Sequence, residues 1–427
     1  MDPFVLALLI PAALAPPLQS EMSLDTAQDA FRKGRFEEAA TAYQRILERE
    51  PERLEALAGL GHLRLLQNRL PEAEGLLKAV TERDPAHTLA NRHLGDAYFR
   101  QDRFDLAAPF FRAAGKEGRA KQMEAFAGLQ PYTFETAPDR SEVPFEITDP
   151  LPVVKLEVNG REAEFLVDTG GADLSVDPEF AAQCGMTVHG EEIGTFAGGR
   201  ARGVPLGKVD QVKIGEYRIR HLPISTIPMG PIAGAFGRPL KGVVGTSFLS
   251  HFLFTLDYPA GRLVLQRRTQ TQSEILAAET RAQSGHELPL WLAGLHMMMS
   301  RGQVNDSPEV MLFLDTGLAG AGGVMVSPAL AKEAGIEPPV ESLEGIGGGG
   351  AVAVKPIVAR EVRLGAALER DVRGVYGGLH TDEYRNGFRL AGIVSHSFLR
   401  PYRVSFDLLG MRLHLIKPPA VTAPVNP

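Results

Sequence analysis

The sequence EFLVDTG occupies residues 164–170, and the sequence MLFLDTG occupies residues 311–317. In each stretch an apolar run typical of a buried strand leads into Asp-Thr-Gly, at Asp168 and at Asp315. One Asp-Thr-Gly would be weak evidence, because about one chain in ten of this length holds one by chance at average residue usage. Two copies, each closing an apolar strand, indicate a duplicated unit whose other parts should also repeat.

The residues downstream of the two motifs do repeat, in the same order. Each copy continues with a short helix that starts with proline and ends before glycine, as helix capping prefers. A Val-Lys-Ile-Gly or Val-Arg-Leu-Gly segment, an apolar glycine-containing segment and a strand hairpin then follow. The matched pairs are 176–185 with 326–335, 212–215 with 362–365, 242–249 with 392–399, and 254–265 with 404–415. The sequence therefore predicts two β lobes, at 143–268 and 285–417.

With these motifs the chain resembles the aspartic proteases, over residues 140–417. Two lobes in one chain are similar to pepsin, and the short lobes and turn sequences are similar to retropepsins and related bacterial proteins. The resemblance implies that Asp168 and Asp315 form the catalytic pair and that a threonine from each lobe hydrogen-bonds across the lobe junction. The residues that it places in support of the pair are Thr169, Gly170, Thr316 and Gly317.

The chemistry explains why two such turns are needed. Peptide hydrolysis without a nucleophilic side chain requires a base to activate water and an acid to protonate the carbonyl oxygen. Two carboxylates about 3 Å apart cannot both ionise, so they share a proton and fill both roles, and aspartic proteases are the standard example. We therefore expect an endopeptidase that uses Asp168 and Asp315 on a peptide or protein substrate, with no metal or organic cofactor. Because both motifs lie in one chain, a monomer should suffice.

Glycine-rich segments follow each Asp at similar distances. Phe196 lies 28 residues after Asp168, and Ile346 lies 31 residues after Asp315. Glycine-rich hairpin tips can bend over a bound peptide and exclude solvent, so both segments are interpreted as flaps. The alternative is a flexible loop without a catalytic role. The flap residues expected to contact substrate are Phe196, Gly198, Gly199, Ile346, Gly347 and Gly348.

Two features depart from the resemblance. Pepsin-like enzymes usually have Ser or Thr directly after Asp-Thr-Gly, where this chain has Gly171 and Leu318. Loss of a hydrogen bond to the ionised carboxylate should raise the pKa values of the pair. The second departure is Ser395, which takes the position that Gly245 holds in lobe one. Its side chain is expected to crowd the turn of lobe two.

The chain before the lobes is repetitive with a period of 34 residues. Each unit has the pattern of two amphipathic helices joined by a short turn. The residues that recur at this interval are Ala39, Ala73 and Ala107, and Phe36, Leu70 and Phe104. The period and the pattern of small and large residues resemble a tetratricopeptide array. We expect this array over residues 21–129, as three repeats with a capping helix, which is the fewest repeats that bury a continuous core.

Arrays of this type usually present a concave groove to a peptide or protein, so the resemblance implies a protein partner. A stabilising or spacing module is the alternative. The hydrophobic period then changes from helical to strand-like across a proline-containing stretch, which predicts a linker at 130–142. The expected fold is multidomain, with an all-α tetratricopeptide-type solenoid followed by an all-β bilobal aspartic-protease-like domain.

Net charge, cysteine content and the two termini bear on nucleic-acid binding, on disulfide bonds and on the location of the protein. The net charge of −7 argues against a nucleic-acid-binding surface, and a single cysteine, Cys184, excludes an internal disulfide. Residues 4–14 form an apolar run followed by Ala15, similar to an export signal, although Asp2 precedes it and Lys and Arg are missing there. Residues 1–20 are therefore a candidate signal peptide. This interpretation favours a periplasmic or secreted location over the alternative, a cytoplasmic one. The proline-rich tail at 418–427 is expected to be disordered.

Two other functions compete with proteolysis. A non-catalytic binding or scaffold protein with a degenerate protease fold is favoured by Ser395, and retention of both aspartates opposes it. A glycosidase with paired carboxylates is disfavoured because such enzymes rarely place both acids in Asp-Thr-Gly turns. Aromatic residues, at 7% of the chain, are also few for stacking on sugars.

Overall fold

The structure is a computed structural model that describes residues 23–196, 200–319, 322–338, 340–347, 350–377, 383–384 and 386–419. The candidate signal peptide lies outside the described residues, and so does the predicted disordered tail from residue 420 onward. Within the described part, no helix combines the length and the apolar character needed to cross a membrane.

The N-terminal part folds into successive packed helices, as the 34-residue period predicted. They are α1 (Leu24–Arg32), α2 (Phe36–Arg49), α3 (Leu54–Leu66), α4 (Leu70–Arg83), α5 (Thr88–Phe99), α6 (Phe104–Ala113) and α7 (Glu117–Glu124). Small residues permit close packing within each pair. A Cβ added to Gly61 would lie 2.8 Å from the Leu77 side chain, and one added to Gly95 would lie 2.7 Å from the Phe111 ring. The tetratricopeptide-type solenoid is confirmed.

Lobe one consists of strands with short helices between them. Its elements are β1 (Thr133–Thr136), β2 (Arg140–Pro144), β3 (Val153–Val158), β4 (Arg161–Val167), β5 (Leu174–Val176), α8 (Pro178–Gln183), β6 (Thr187–Phe196), β7 (Arg200–Ile214), β8 (Tyr217–Thr226), α9 (Gly230–Phe236), β9 (Leu240–Val244), α10 (Thr246–Leu249), β10 (Phe252–Asp257) and β11 (Arg262–Arg267). Across the described residues, one sheet has the strand order β1-β8-β5-β9-β4-β3-β7-β6. Strand β4 pairs in parallel with β9, so the Asp-Thr-Gly turn leaves β4 beside the end of β9.

Lobe two repeats this succession after a helix that was not anticipated, α11 (Gln270–Ala282). Its elements are β12 (His286–Pro289), β13 (Trp291–Ala293), β14 (Met297–Val304), β15 (Val310–Leu314), β16 (Val324–Val326), α12 (Pro328–Glu333), β17 (Leu343–Gly347), β18 (Gly350–Leu364), β19 (Ala367–Tyr376), β20 (Gly392–Val394), α13 (His396–Leu399), β21 (Arg403–Asp407) and β22 (Arg412–Ile416). Strand β15 pairs in parallel with β20, as β4 does with β9. The all-β bilobal domain is confirmed.

A third sheet joins the two lobes. In the described residues its order is β12-β22-β21-β10-β11-β2, so three strands of lobe two continue into three strands of lobe one within one hydrogen-bonded layer. At its centre β10 pairs antiparallel with β21, and the Phe254 and Phe406 rings stack with centroids 4.7 Å apart. The lobes therefore share a common base, which fixes how their Asp-Thr-Gly turns face each other.

Residues 130–142 do not form the predicted linker. Strand β1 pairs antiparallel with β8, and β2 pairs antiparallel with β11. The Tyr217 hydroxyl also donates to the Pro138 carbonyl at 2.7 Å. The partner strands β8 and β11 lie about 85 to 125 residues further along the chain. The residues of the proline-containing stretch alone therefore could not predict these pairings.

The repeat array packs directly against the lobes instead of standing apart. Met298 and Met299 are both fully buried, although side chains alternate between the two faces of a sheet and an antiparallel sheet commonly leaves one face to solvent. Met298 belongs to the main core, whereas Met299 packs in a cluster with Phe36 and Tyr43 of the array and Trp291 of lobe two. Helices of the array therefore cover the face of the lobe-two sheet that the alternation rule leaves to solvent.

Candidate active site

The two Asp-Thr-Gly turns meet at the junction between the lobes. The backbone N–H of Asp168 donates to the Val244 carbonyl at 3.2 Å, and that of Asp315 donates to the Val394 carbonyl at 3.1 Å. Strands β9 and β20 thus hold equivalent positions under the two aspartates. We refer to residues 168–173 as the Asp168 loop and to residues 315–323, of which 320 and 321 lie outside the described part, as the Asp315 loop.

Each turn leaves no room for a side chain at its glycine. A Cβ on Gly170 would overlap the carboxyl of Asp315, and a Cβ on Gly317 would overlap the carboxyl of Asp168. Each carboxyl therefore lies against the glycine of the opposite turn. Gly170 N–H also donates to Asp168 Oδ1, and Gly317 N–H donates to Asp315 Oδ1, both at 2.8 Å. These contacts fix the orientation of both carboxyl groups.

The two threonines lock the turns together. Thr169 N–H donates to Thr316 Oγ1 and Thr316 N–H donates to Thr169 Oγ1, both at 3.0 Å. Each hydroxyl then donates to a carbonyl of the opposite strand, Thr169 to Leu314 at 2.7 Å and Thr316 to Val167 at 3.3 Å. Both threonines are fully buried. This is the reciprocal pattern that the resemblance implied for the lobe junction.

Burial sets the electrostatics of the pair. It raises the pKa of Asp168 above the ordinary aspartate value, although N–H groups of Gly170 and Gly171 and the carboxyl of Asp315 act in the opposite direction. Burial also raises the pKa of Asp315 well above its ordinary value, and the charge of Asp168 raises it further. The pair therefore retains one proton at pH values where an isolated aspartate is ionised, and that proton belongs to the pair.

Ser395 does not crowd the Asp315 loop, so that expectation is wrong. Its buried hydroxyl accepts a hydrogen bond from Leu318 N–H at 3.1 Å. In lobe one a Cβ on Gly245 would overlap the Asp173 carbonyl. The Asp315 loop is three residues longer before its next strand, and this leaves the serine side chain enough space to act as a hydrogen-bond acceptor.

This difference gives a stability prediction. We expect Ser395→Ala to lower the free energy of unfolding by about 1–2 kcal/mol, because Leu318 N–H loses its acceptor. Ser395→Gly should lower it at least as much, since it also adds backbone freedom. Urea denaturation measures both. A glycine variant more stable than wild type would mean that the side chain crowds the loop after all.

One supporting residue escaped the sequence analysis. The Thr246 hydroxyl donates to the Thr169 carbonyl at 2.8 Å, and the backbone N–H of Thr246 donates to the Gly171 carbonyl at 2.9 Å. Lobe two has His396 at the equivalent position, so the duplication did not mark this residue. Buried contact with the Asp168 loop is visible only in the folded chain.

The predicted flaps are hairpins in both lobes. Phe196 pairs with Arg200 at the end of the β6–β7 hairpin, and Ile346 pairs with Ala351 near the end of β17–β18. Gly347 pairs with Gly350. The tips themselves, including Gly198, Gly199 and Gly348, lie outside the described residues, so substrate contact by the flaps stays a prediction. Among the described residues, no three His, Cys, Asp or Glu side chains cluster as metal ligands would.

Family comparisons agree with this division of the chain. An aspartyl protease family model matches residues 154–248 and 300–383, one region in each lobe. A tetratricopeptide repeat model matches residues 24–86 and 67–120. No curated protein matches the chain.

Solved structures show weaker likeness. A mutant O-GlcNAc transferase of Thermobaculum terrenum is 24% identical over 23% of this chain and 20% of its own, with a TM-score of 0.22. Conglutin gamma, a basic 7S globulin from lupine seeds, is 12% identical over 66% of this chain and 95% of its own, with a TM-score of 0.40. The chain thus spans about a fifth of the transferase, and neither likeness bears on activity.

Proposed function

We propose that this chain, which joins tetratricopeptide repeats to an aspartyl protease domain, is an aspartic endopeptidase. It hydrolyses the peptide bonds of its substrate with a water molecule that is activated between the carboxyl groups of Asp168 and Asp315. The observation that carries the proposal is the interlocked pair of turns. Each carboxyl lies against the glycine of the other turn, and reciprocal threonine hydrogen bonds hold them there. This geometry supports two carboxyls that share one proton and face one substrate.

The reaction follows from the shared proton. The ionised carboxylate accepts a proton from water as the water oxygen bonds to the peptide carbonyl carbon. The protonated partner donates its proton to the carbonyl oxygen, which gives a tetrahedral diol. The C–N bond then breaks as the leaving nitrogen takes a proton from the pair and the diol returns one. Both carboxyls are needed because one group cannot be base and acid in the same step.

The structure also weakens the scaffold alternative. That alternative depended on Ser395 disturbing the second turn, and Ser395 instead hydrogen-bonds Leu318 within it. The repeats support protein–protein contact in addition to cleavage. Part of the array surface is occupied by lobe two of the same chain, so an external protein partner is left with the remaining faces.

The proposal is tested by peptide-library cleavage with purified wild-type protein. We expect internal peptide bonds to be cut, with new termini identified by mass spectrometry and no dependence on added metal. Incorporation of one oxygen from labelled water into each new carboxyl group would show that the bonds are broken by hydrolysis. Absence of cleavage across an acid-to-neutral pH series would instead favour the scaffold alternative.

The pH dependence gives a separate prediction. Activity requires one proton on the pair, so it falls as pH rises through the higher apparent pKa. Burial raises both pKa values, and Gly171 and Leu318 supply no hydroxyl to the carboxylates. We therefore expect kcat/KM to peak at a less acidic pH than in digestive pepsins. A kcat/KM profile measured over about pH 2–8 checks this, and a maximum in the gastric range would contradict it.

A further inference from the structure

The last helix of the repeat array lies against the strand that carries the first flap. A Cβ on Gly118 of α7 would overlap the Glu191 carbonyl of β6, and a Cβ on Gly190 would overlap the Gly118 carbonyl. Only glycine allows the two backbones to approach so closely. Strand β6 is at the edge of the lobe-one sheet, so α7 covers an edge that would otherwise lack a neighbour.

One side chain of this helix reaches both the flap strand and the Asp168 loop. Buried Arg119 donates to Asp173 Oδ1 at 3.2 Å and to Asp173 Oδ2 at 3.1 Å, which is the two-pronged geometry of a strong guanidinium–carboxylate pair. The same guanidinium also lies 3.5 Å from Glu192 Oε2 of β6. Asp173 is the last residue of the Asp168 loop. A single guanidinium therefore ties the loop to the base of the flap.

Neighbouring contacts hold Arg119 itself in place. Gln122 accepts from Arg119 at 3.0 Å, and its amide donates to the Gly207 and Ile224 carbonyls at 2.7 and 3.0 Å. Burial lowers the pKa of Arg119, but the carboxylates of Asp173 and Glu192 outweigh that effect, so the guanidinium stays charged. Helix α7 is thus attached to β6, β7 and β8 by buried polar contacts that have little freedom to rearrange.

Lobe two provides an internal comparison. The residue directly before strand β16 is Gly323, at the position that Asp173 holds before β5. A Cβ on Gly323 would lie 2.5 Å from Val372 and 2.6 Å from the Ser397 hydroxyl, so a carboxylate cannot be placed there. The lobe fold therefore closes without an acid at this point. In lobe one the acid serves the contact with the repeat array.

We propose that Arg119 is a positioning residue of the proteolytic site, which holds the Asp168 loop and the first flap in register from the repeat array. The inference rests on the proposed protease function. Arg119 acts through Asp173 and Glu192 and does not touch substrate. The repeat array is then a working part of the enzyme.

The test uses full-length variants. We expect Arg119→Met to lower kcat by about 10–100-fold, because a displacement of the loop near 1 Å is enough for such a loss. KM should rise by less than kcat falls. Arg119→Lys, which keeps one charged hydrogen bond to Asp173, should recover part of the loss. Arg112→Met is the matched control: its exposed pairs with Glu117 and Glu124 lie in the same array, and kcat should stay within about twofold.

A double variant separates positioning from stability alone. Arg119→Met with Asp173→Leu replaces the buried ion pair by apolar side chains, which commonly restores stability. We expect its melting temperature to return toward the wild-type value while kcat stays at least about tenfold low. Recovery of kcat together with the melting temperature would overturn the proposal, and so would wild-type kcat in Arg119→Met.

Amide hydrogen exchange keeps the two proposals distinguishable. Arg119→Met should speed exchange in peptides covering 168–176 and 187–196 by about tenfold or more and leave 310–326 unchanged. If wild type cleaves no peptide, the protease function fails, and this exchange result still decides whether Arg119 positions the loop and flap. Unchanged exchange in both lobe-one segments would overturn the positioning role.

Discussion

Asp168→Asn and Asp315→Asn should each lower kcat by about 10⁴-fold, a loss typical of removing one member of a catalytic unit. An amide can neither accept the proton of water nor carry the proton that the pair shares. Each carboxyl lies against the glycine of the opposite turn, so an asparagine of nearly equal size fits without displacing the backbone. Initial rates on one optimised peptide measure the loss, with Asp210→Asn on the exposed part of β7 as the matched control.

The double variant sharpens this prediction. If both aspartates act in one step, removing both should cost about as much as removing one, because residues that act as a unit give non-additive losses. Multiplication of the two single losses would instead mean that the carboxyls act in separate steps. That outcome would contradict a shared proton.

The Asn variants should also differ from wild type in how stability depends on pH. Because the pKa of Asp315 is raised in the folded chain, the folded state binds its proton more tightly than the unfolded state. Wild type therefore loses stability as pH rises from the ordinary aspartate pKa through the raised one. Asp315→Asn lacks that loss and should melt at a higher temperature than wild type near neutral pH. A lower melting temperature would show that the carboxylate is stabilised in the fold.

The second large effect is expected at the threonine lock. Thr169→Val and Thr316→Val keep the side-chain shape, but each leaves a buried N–H and a buried carbonyl without a partner. We expect a loss of about 3 kcal/mol in the free energy of unfolding. We also expect kcat to fall by about 100-fold in the folded fraction, since the turns lose their relative position.

Two controls isolate the lock. Thr169→Ser keeps the hydroxyl and should stay within about 1 kcal/mol of wild type in stability, with little change in kcat. Thr255→Val removes a different buried hydrogen bond, the one that joins the Thr255 and Ser405 hydroxyl oxygens at 2.7 Å in the sheet shared by the two lobes. It should destabilise the chain without lowering kcat of the folded protein. If Thr169→Val were as active and stable as Thr169→Ser, the lock would have no role.

Local patterns were sufficient for the main architecture. The 34-residue period marked the helices because each repeat must bury the same face, and the matched segments marked two lobes because both solve the same packing problem. The resemblance carried by the two Asp-Thr-Gly motifs implied that Asp168, Asp315 and the two threonines meet at one junction. Short sequence patterns predict these features, and such a pattern indicates the same local structure whatever distant segment packs against it.

The remaining features depend on contacts between distant segments. Strands β1 and β2 were missed because their pairing partners lie far along the chain, and pairing, not propensity, decides a short strand. Ser395 was misjudged because the longer Asp315 loop makes space that a comparison with Gly245 could not show. Arg119 carried no signal in the sequence, since a single arginine at the end of an array is usually solvated.

The most direct measurement compares three samples in one peptide-cleavage assay: wild type, Asp315→Asn, and an equal mixture of Asp168→Asn with Asp315→Asn. If one chain supplies both halves of a single hydrolytic site, wild type cleaves, and the variant and the mixture do not. Cleavage by Asp315→Asn at the wild-type rate would show that lobe two is only structural. Recovered cleavage in the mixture, or no cleavage by wild type, would equally contradict a site built by Asp168 and Asp315 of the same chain.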